Sequence, residues 1–261
     1  MTAILYHGEP NAASFSVLAA LAESGLEIEC RAIDLLAGER HTIPGLSEPL
    51  ARDMSIEGEG PVLVIDGEAM SDAVFLAQYL DDAAGGCGLQ PSVAYAHWEM
   101  MMWCRQLTER LAPAAAYIGT LAHAQRKLAA IGADGFAKLA GTIAAEDLRA
   151  RWQDLHDGTV DAAKVEDSRA KVAQFAQRAE DRLADGREWL MGDFSIADLE
   201  TYGWMAGMRA LEAEAFAGKP KLHAWFARIE ARPSVQAALA RATTDKPQNS
   251  WAPGPEINRW G

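Results

Sequence analysis

Phe194-Ser-Ile-Ala-Asp-Leu-Glu200 is the stretch on which the reading of this chain turns. Ser195 is followed three residues later by Asp198. That is the spacing of a capping box: the hydroxyl accepts an N–H of the first helical turn, and the carboxylate reaches back to the N–H of the serine. Phe194 and Leu199 stand where a hydrophobic staple would close over the turn. The segment predicts a well-made helix start, with helical spacing running on to Leu211. Around it nearly everything reads helical: 93–122 with Pro113 expected to bend it, 125–131, 135–156, 162–184, and 221–241 in two pieces broken by Pro233. Long Ala/Leu/Arg/Glu-rich stretches without β-branched runs leave little room there for a sheet.

The first eighty residues have a different rhythm. Ala3-Ile-Leu-Tyr6 fits a short strand, and after Gly8, Pro10 and Asn11 helical spacing runs from Ser14 to Glu23, where Gly25 stops it. Residues 27–33 alternate polar and apolar as a half-buried strand does. Pro61-Val-Leu-Val-Ile65 followed by Asp66-Gly67 reads as a strand entering a hairpin, Ala69-Met70 as its return, and Asp72 to Leu80 as a closing helix. The order βαβ, then ββα, predicts a small α/β domain with a mixed sheet over 1–82. A Gly-rich linker follows at 83–92, a helical domain at 93–245 and an irregular tail at 246–261. Trp251 and Trp260 predict that the tail packs on a surface.

Charge divides the chain in the same place. Residues 1–82 hold three Arg, no Lys and fifteen acids, whereas 83–261 hold twenty-one basic and twenty-two acidic residues, so the formal charge of −13 is almost all in the first domain. A surface this acidic repels phosphate backbones, which argues against nucleic acid as a partner. No apolar run approaches the roughly 18–20 residues of a membrane span. The N-terminus lacks the basic region of a signal peptide. Cys30, Cys87 and Cys104 are odd in number and lack metal-ligand spacing, so neither disulfides nor a metal site is expected. A cytoplasmic setting is the expectation.

A βαβ-ββα domain with Gly60-Pro61 ahead of its third strand, then a helical domain carrying Ser195-Ile-Ala-Asp198 and Ala231-Arg-Pro-Ser-Val235, resembles the glutathione S-transferase superfamily over almost the whole chain. The resemblance implies a thioredoxin-like N-terminal domain, an all-α C-terminal domain and glutathione as co-substrate. It further implies a cis bond at Gly60–Pro61, with the Gly60 backbone pairing with the cysteine of glutathione. The family's catalytic residue sits at the start of the first helix, and here that place is taken by Ser14. A hydroxyl together with free N–H groups at a helix start would lower the pKa of a bound thiol. Two alternatives stand beside it: Ser14 as a plain N-cap, and Tyr6 or Ser16 as the catalytic hydroxyl. The resemblance places the glutathione contacts at His41, Gly60, Pro61, Asp72 and Ala73, with Arg40 and Arg52 the other basic groups near enough to help.

Among serine-type members the chain is most similar to the bacterial β-etherases that open β-aryl ether bonds in lignin-derived aromatic ketones. The similarity lies in Leu5-Tyr6 with a Gly/Pro-rich turn before Ser14, a helical insertion around Ala144–Trp152, and the length of the chain. It implies a small aromatic substrate and a homodimer, or a heterodimer with a paralogous subunit. Two positions depart from the pattern. The family's acid-Ser/Thr pair reads Asp72-Ala73 here, and Ala13 stands where related etherases tend to have a polar amide. Those departures, with the acidity of the first domain, keep two further readings open: a helper subunit with an eroded glutathione site, and a general transferase or disulfide reductase. His7, near the presumed cleft, reads as an orienting group or a turn residue. Trp98, Met100–Trp103, Tyr117, Trp152 and Trp204 are candidates for an aromatic pocket or for core.

Overall fold

A computed structural model describes residues 2–49 and 59–255; Arg52 and Trp260 lie outside them. Four short strands, β1 (Ala3–His7), β2 (Glu29–Ala32), β3 (Val62–Ile65) and β4 (Glu68–Met70), form one sheet of order β2-β1-β3-β4. β2 runs parallel to β1, while β3 lies antiparallel to both β1 and β4. This is the predicted mixed sheet, with alternating residues such as Leu5 and Leu63 buried on the helix-covered face.

The register gathers one end of the sheet. Tyr6 faces Val62 and His7 faces Ala32, while Leu63 faces Met70. The chain leaving β1, the chain leaving β2, the residues entering β3 and the residues leaving β4 therefore all meet along the same edge. The Gly60–Pro61 bond is not cis, for no described peptide bond is. That corrects the family expectation and follows the ordinary trans preference of X–Pro bonds; the Gly60 carbonyl meanwhile accepts from Arg40 Nε at 3.2 Å.

Helix α1 (Ala12–Ser24) begins two residues before its predicted start. Asn11 is its cap, its side-chain oxygen accepting the Ala12 N–H at 3.0 Å. Gly25, at φ +66°, ends it in the left-handed conformation that glycine adopts without a Cβ clash. A single turn not foreseen in the sequence, α2 (Glu39–Thr42), follows β2, and α3 (Ala73–Ala83) closes the domain.

The remainder is helical. α4 (Ala94–Gln106) passes through a π turn at Leu107–Leu111 into α5 (Ala112–His123). Pro113 thus stands at the start of α5, just after a widened turn that accommodates its ring and its missing N–H. The predicted 135–156 helix is two, because the chain turns at 141–145 to bury Ile143. These follow the short α6 (Gln125–Ala129) as α7 (Ala133–Ala140) and α8 (Glu146–His156). α9 (Ala162–Arg182) is capped by Asp161. α10 (Ile196–Met205) starts at the capping box, where Asp198 accepts the N–H groups of Ser195 and Leu190 and the Trp225 indole at 2.8–3.1 Å. α10 stops short of 211, and just beyond it the backbone of Gln248 approaches Gly207, where a Cβ would come within 3.0 Å of the Gln248 carbonyl. Four further helices, α11 (Met208–Leu211), α12 (Ala213–Phe216), α13 (Pro220–Glu230) and α14 (Pro233–Leu239), complete the domain. No helix among the described residues is long and apolar enough to cross a membrane.

The main core joins α1 and α3 to α4, α5, α9 and α10. Gly203 on α10 sets the approach: a Cβ there would sit 2.6 Å from the Ala12 carbonyl and 2.9 Å from Ser16 Oγ. A second cluster, built by Leu128, Phe136, Ile143, Leu148, Trp152 and the tail's Trp251, packs on Leu35 and Leu36 beyond β2. The insertion is thus a small core of its own, clamped on the first domain.

Candidate functional site

Ser14 lies in the first turn of α1, buried, with its Oγ accepting the Gly8 N–H at 3.0 Å. Asn11 already caps the helix, so Ser14 is not the N-cap. Its two rivals are engaged elsewhere. Ser16 is fully buried and directs its hydroxyl to the carbonyls of Ala12 and Leu199, and the Tyr6 hydroxyl accepts from Arg31 on the neighbouring strand. Ser14 has filled one lone pair with Gly8, which leaves its proton for another acceptor. The first turn of α1 also leaves N–H groups without an intrahelical partner, and the positive end of the helix dipole lies there.

Asp72 caps α3, accepting the Phe75 N–H at 3.3 Å. It does so at φ +80°, a left-handed conformation costly for a residue with a Cβ. Ala73 behind it is fully buried. Burial raises the Asp72 carboxyl above its ordinary range. Behind Asp72 stands Glu200 of α10, completely buried; burial first, then the Asp72 charge, holds its carboxyl high against the opposing Ser16 hydroxyl. The sheet register brings Gly8 with Ser14, Gly60-Pro61 and Asp72-Ala73 to one edge.

His41 has a different setting from the one expected. Its side chain is buried beneath α2, and its Nε2 lies 2.5 Å from an oxygen of Glu59, the two side chains being 1% and 3% exposed. Trp152 of the insertion donates its indole N–H to both Glu59 oxygens at 3.2 and 3.1 Å. Arg40 is also buried, and neither of its terminal amino groups has a hydrogen-bond partner among the described residues. Burial lowers its pKa to about 10, against the opposing charge of Glu59. His7, also buried, donates from Nδ1 to the Gly8 carbonyl at 2.6 Å, and burial lowers its pKa, so the ring is neutral.

A cavity of about 360 Å³ opens above Glu59. Its walls come from α5 (Tyr117, Thr120), α8 (Arg151, Trp152), the start of α9 (Lys164) and the tail (Trp251). Trp251 is pinned by its indole N–H to Thr120 Oγ1 at 3.0 Å and stacks edge-on against Trp152 at 5.2 Å. Asn11 donates to the Ser250 carbonyl at 2.9 Å, and Arg151 to that of Gly254 at 3.0 Å. The tail is therefore a wall of the cavity. Of the aromatic candidates, Tyr117 and Trp152 line it; Met100, Trp103 and Trp204 are core, and Trp98 is exposed. Sequence reasoning missed Glu59 and the pocket role of Trp251. The place of Glu59 immediately before Gly60-Pro61 was the available signal for the first.

The fold is that of the glutathione S-transferases, a thioredoxin-like domain followed by a helical one, and residues 138–233 match the family described as glutathione S-transferase, C-terminal domain. Among individual proteins, the chain is similar to LigF of Sphingobium sp. strain SYK-6, with 24% identity over 246 residues, or 90% of this chain and 92% of LigF. The crystal structure of that β-etherase superposes with a TM-score of 0.81 at 23% identity, covering 93% of this chain and all of LigF. Glutathione transferase F7 of Populus trichocarpa follows at TM-score 0.65 and 20% identity, covering 92% of this chain and 98% of its own. A Burkholderia graminis glutathione transferase, whose structure holds two glutathione molecules per subunit, matches at TM-score 0.64 and 22% identity, covering 92% of this chain and 88% of its own.

Proposed function

We propose that this chain is a glutathione-dependent transferase that opens β-aryl ether bonds in aromatic ketones. The observation that carries the reading is Ser14: a hydroxyl in the first turn of α1, its acceptor side filled by Gly8 and its proton free for a thiolate. Donation from Ser14 and the positive end of α1 favour the ionised thiol. The sulfur then attacks the carbon next to the ketone, a C–S bond forms, the C–O bond breaks, and the electron pair leaves with the phenolate. The cavity walled by Tyr117, Trp152 and Trp251 suits an aromatic substrate. Holding it against the thiolate in a site shielded from water is the rest of the protein's task. Similarity to the β-etherase LigF over nine-tenths of the chain supports the same reading.

A second reading, a subunit that works beside a paralogue, is favoured by exposed apolar side chains, of which Tyr95 and Trp98 pack together with ring centroids 5.6 Å apart. Phe75 on α3 and Val93, Tyr95 and Trp98 at the start of α4 are 55–67% exposed. An apolar group of this kind marks an association surface. One experiment separates the readings: the purified chain is titrated with glutathione by calorimetry, sized by light scattering, and assayed on a fluorogenic β-aryl ether ketone. Binding and turnover by the chain alone support the first reading. Activity that arises only on mixing with a paralogue supports the second, and glutathione bound without any ether cleavage overturns the etherase assignment.

A further inference from the structure

At the described cleft edge, His41 of the Arg40–His41 turn is already engaged by a carboxylate of the protein, while the terminal amino groups of Arg40 have no hydrogen-bond partner among the described residues. A tripeptide thiol whose γ-glutamyl end lies at Asp72 and whose cysteine pairs with Gly60 must extend its glycyl end to the far side of Gly60. That is the side where Arg40 Nε meets the Gly60 carbonyl and where His41 follows in α2. There, a cation would ordinarily receive the glycyl carboxylate. Here, a carboxylate of the protein stands in its place. Glu59, next to Gly60 in the chain, takes His41 Nε2 at 2.5 Å and Trp152 Nε1 with both oxygens. Its charge also offsets that of Arg40. Three donor contacts from two side chains satisfy the buried carboxylate, which is the condition for keeping a charge away from water. One of those donors, Trp152, belongs to the insertion that builds the substrate cavity, and Glu59 itself lines that cavity. The contact therefore ties the cation end of the cleft to the substrate side.

We infer that Glu59 determines co-substrate specificity: it neutralises the Arg40–His41 end of the cleft from within, so that the thiol co-substrate is held without an ion pair to its terminal carboxylate. The inference rests on the glutathione reading given above. A thiol tripeptide with that carboxylate masked is thus as good a ligand as glutathione itself, and the acidic first domain holds its anionic co-substrate through the backbone of Gly60 and the α3 helix start instead of through charge.

The test compares glutathione with its glycyl ethyl ester by calorimetry on the full chain and on Glu59→Gln. Glutamine keeps an oxygen for Trp152 and His41 while removing the charge, and circular dichroism checks that the variant folds. The wild-type chain is expected to bind the two ligands within about threefold of each other. Glu59→Gln is expected to bind glutathione about fivefold more tightly, the worth of one partly screened ion pair, with the ester unchanged. A wild-type preference of about tenfold or more for the free acid overturns the inference without recourse to any variant. So does an unchanged or weakened glutathione affinity in folded Glu59→Gln. If neither protein binds either ligand, the glutathione reading itself falls and the inference with it. Binding of both ligands with a wild-type preference for the acid removes only the role of Glu59.

Discussion

Ser14 shows how far a single residue can be read before the chain is folded. Its type and its place after a Gly/Pro-rich turn were legible, but whether it capped the helix or faced a ligand was not. Asn11, three residues earlier, decided that by taking the cap with its own side chain. Asn11 keeps the helix start, but Ser14→Ala strands the buried Gly8 N–H, so the variant is expected to lose about 1 kcal/mol of stability, a thermal midpoint a few degrees lower, while lowering kcat/KM by tenfold or more, about 1.4 kcal/mol in transition-state stabilisation per factor of ten. Steady-state kinetics with glutathione and an aryl ether ketone, alongside a melting curve, checks both halves. An unchanged rate would leave the backbone N–H groups of α1 as the thiol's support. Asp72 was also legible as a helix start. Its left-handed backbone was not, since nothing in the sequence Ser71-Asp72-Ala73 demands it.

Among the elements, the tail changed most between sequence and structure. Its proline content foretold irregular backbone, and Trp251 foretold packing. Only the fold showed that it packs over the mouth of a cavity, tied at three points to α5, to α8 and to the residue ahead of α1. Removing the Trp251 ring deletes a buried indole from the second cluster, at a cost of about 3 kcal/mol typical of such truncations, and opens one wall of the cavity. Trp251→Ala is therefore expected to lower the urea midpoint and to raise KM for the aromatic substrate more than KM for glutathione; equal effects on both would show that the tail does not belong to the substrate wall. The 135–156 segment teaches the same lesson. Helical spacing was correct on both sides of residues 141–145, but tertiary burial of Ile143 turned the chain where periodicity alone saw one helix.

At the scale of the whole molecule, the two parts meet along α1 and α10, and the meeting buries acids. Glu200 and Asp72 face each other there, with Cys104 of α4, Ser16 and Trp204 around Glu200. Burial lifts the Glu200 carboxyl from 4.5 to about 8. A carboxyl raised on folding stabilises the native state fully below its unfolded value, and that contribution is lost as the pH rises through the folded value. Between about pH 5 and 8 the thermal midpoint of the chain is thus expected to fall, and Glu200→Gln, which cannot ionise, is expected to flatten that fall; parallel curves for the two proteins would place the titration elsewhere. The sequence by itself determined the order of elements, the capping box at Ser195–Asp198, the sheet-then-helix plan and the concentration of acid in the first eighty-two residues, because period, turn chemistry and charge are local properties of the chain. Only the tertiary structure decided that Glu59 satisfies His41, that Trp251 walls the cavity, and that Glu200 lies buried behind Asp72, because each is a meeting of residues tens to hundreds of positions apart, brought together by the packing of the insertion and the tail on the sheet edge.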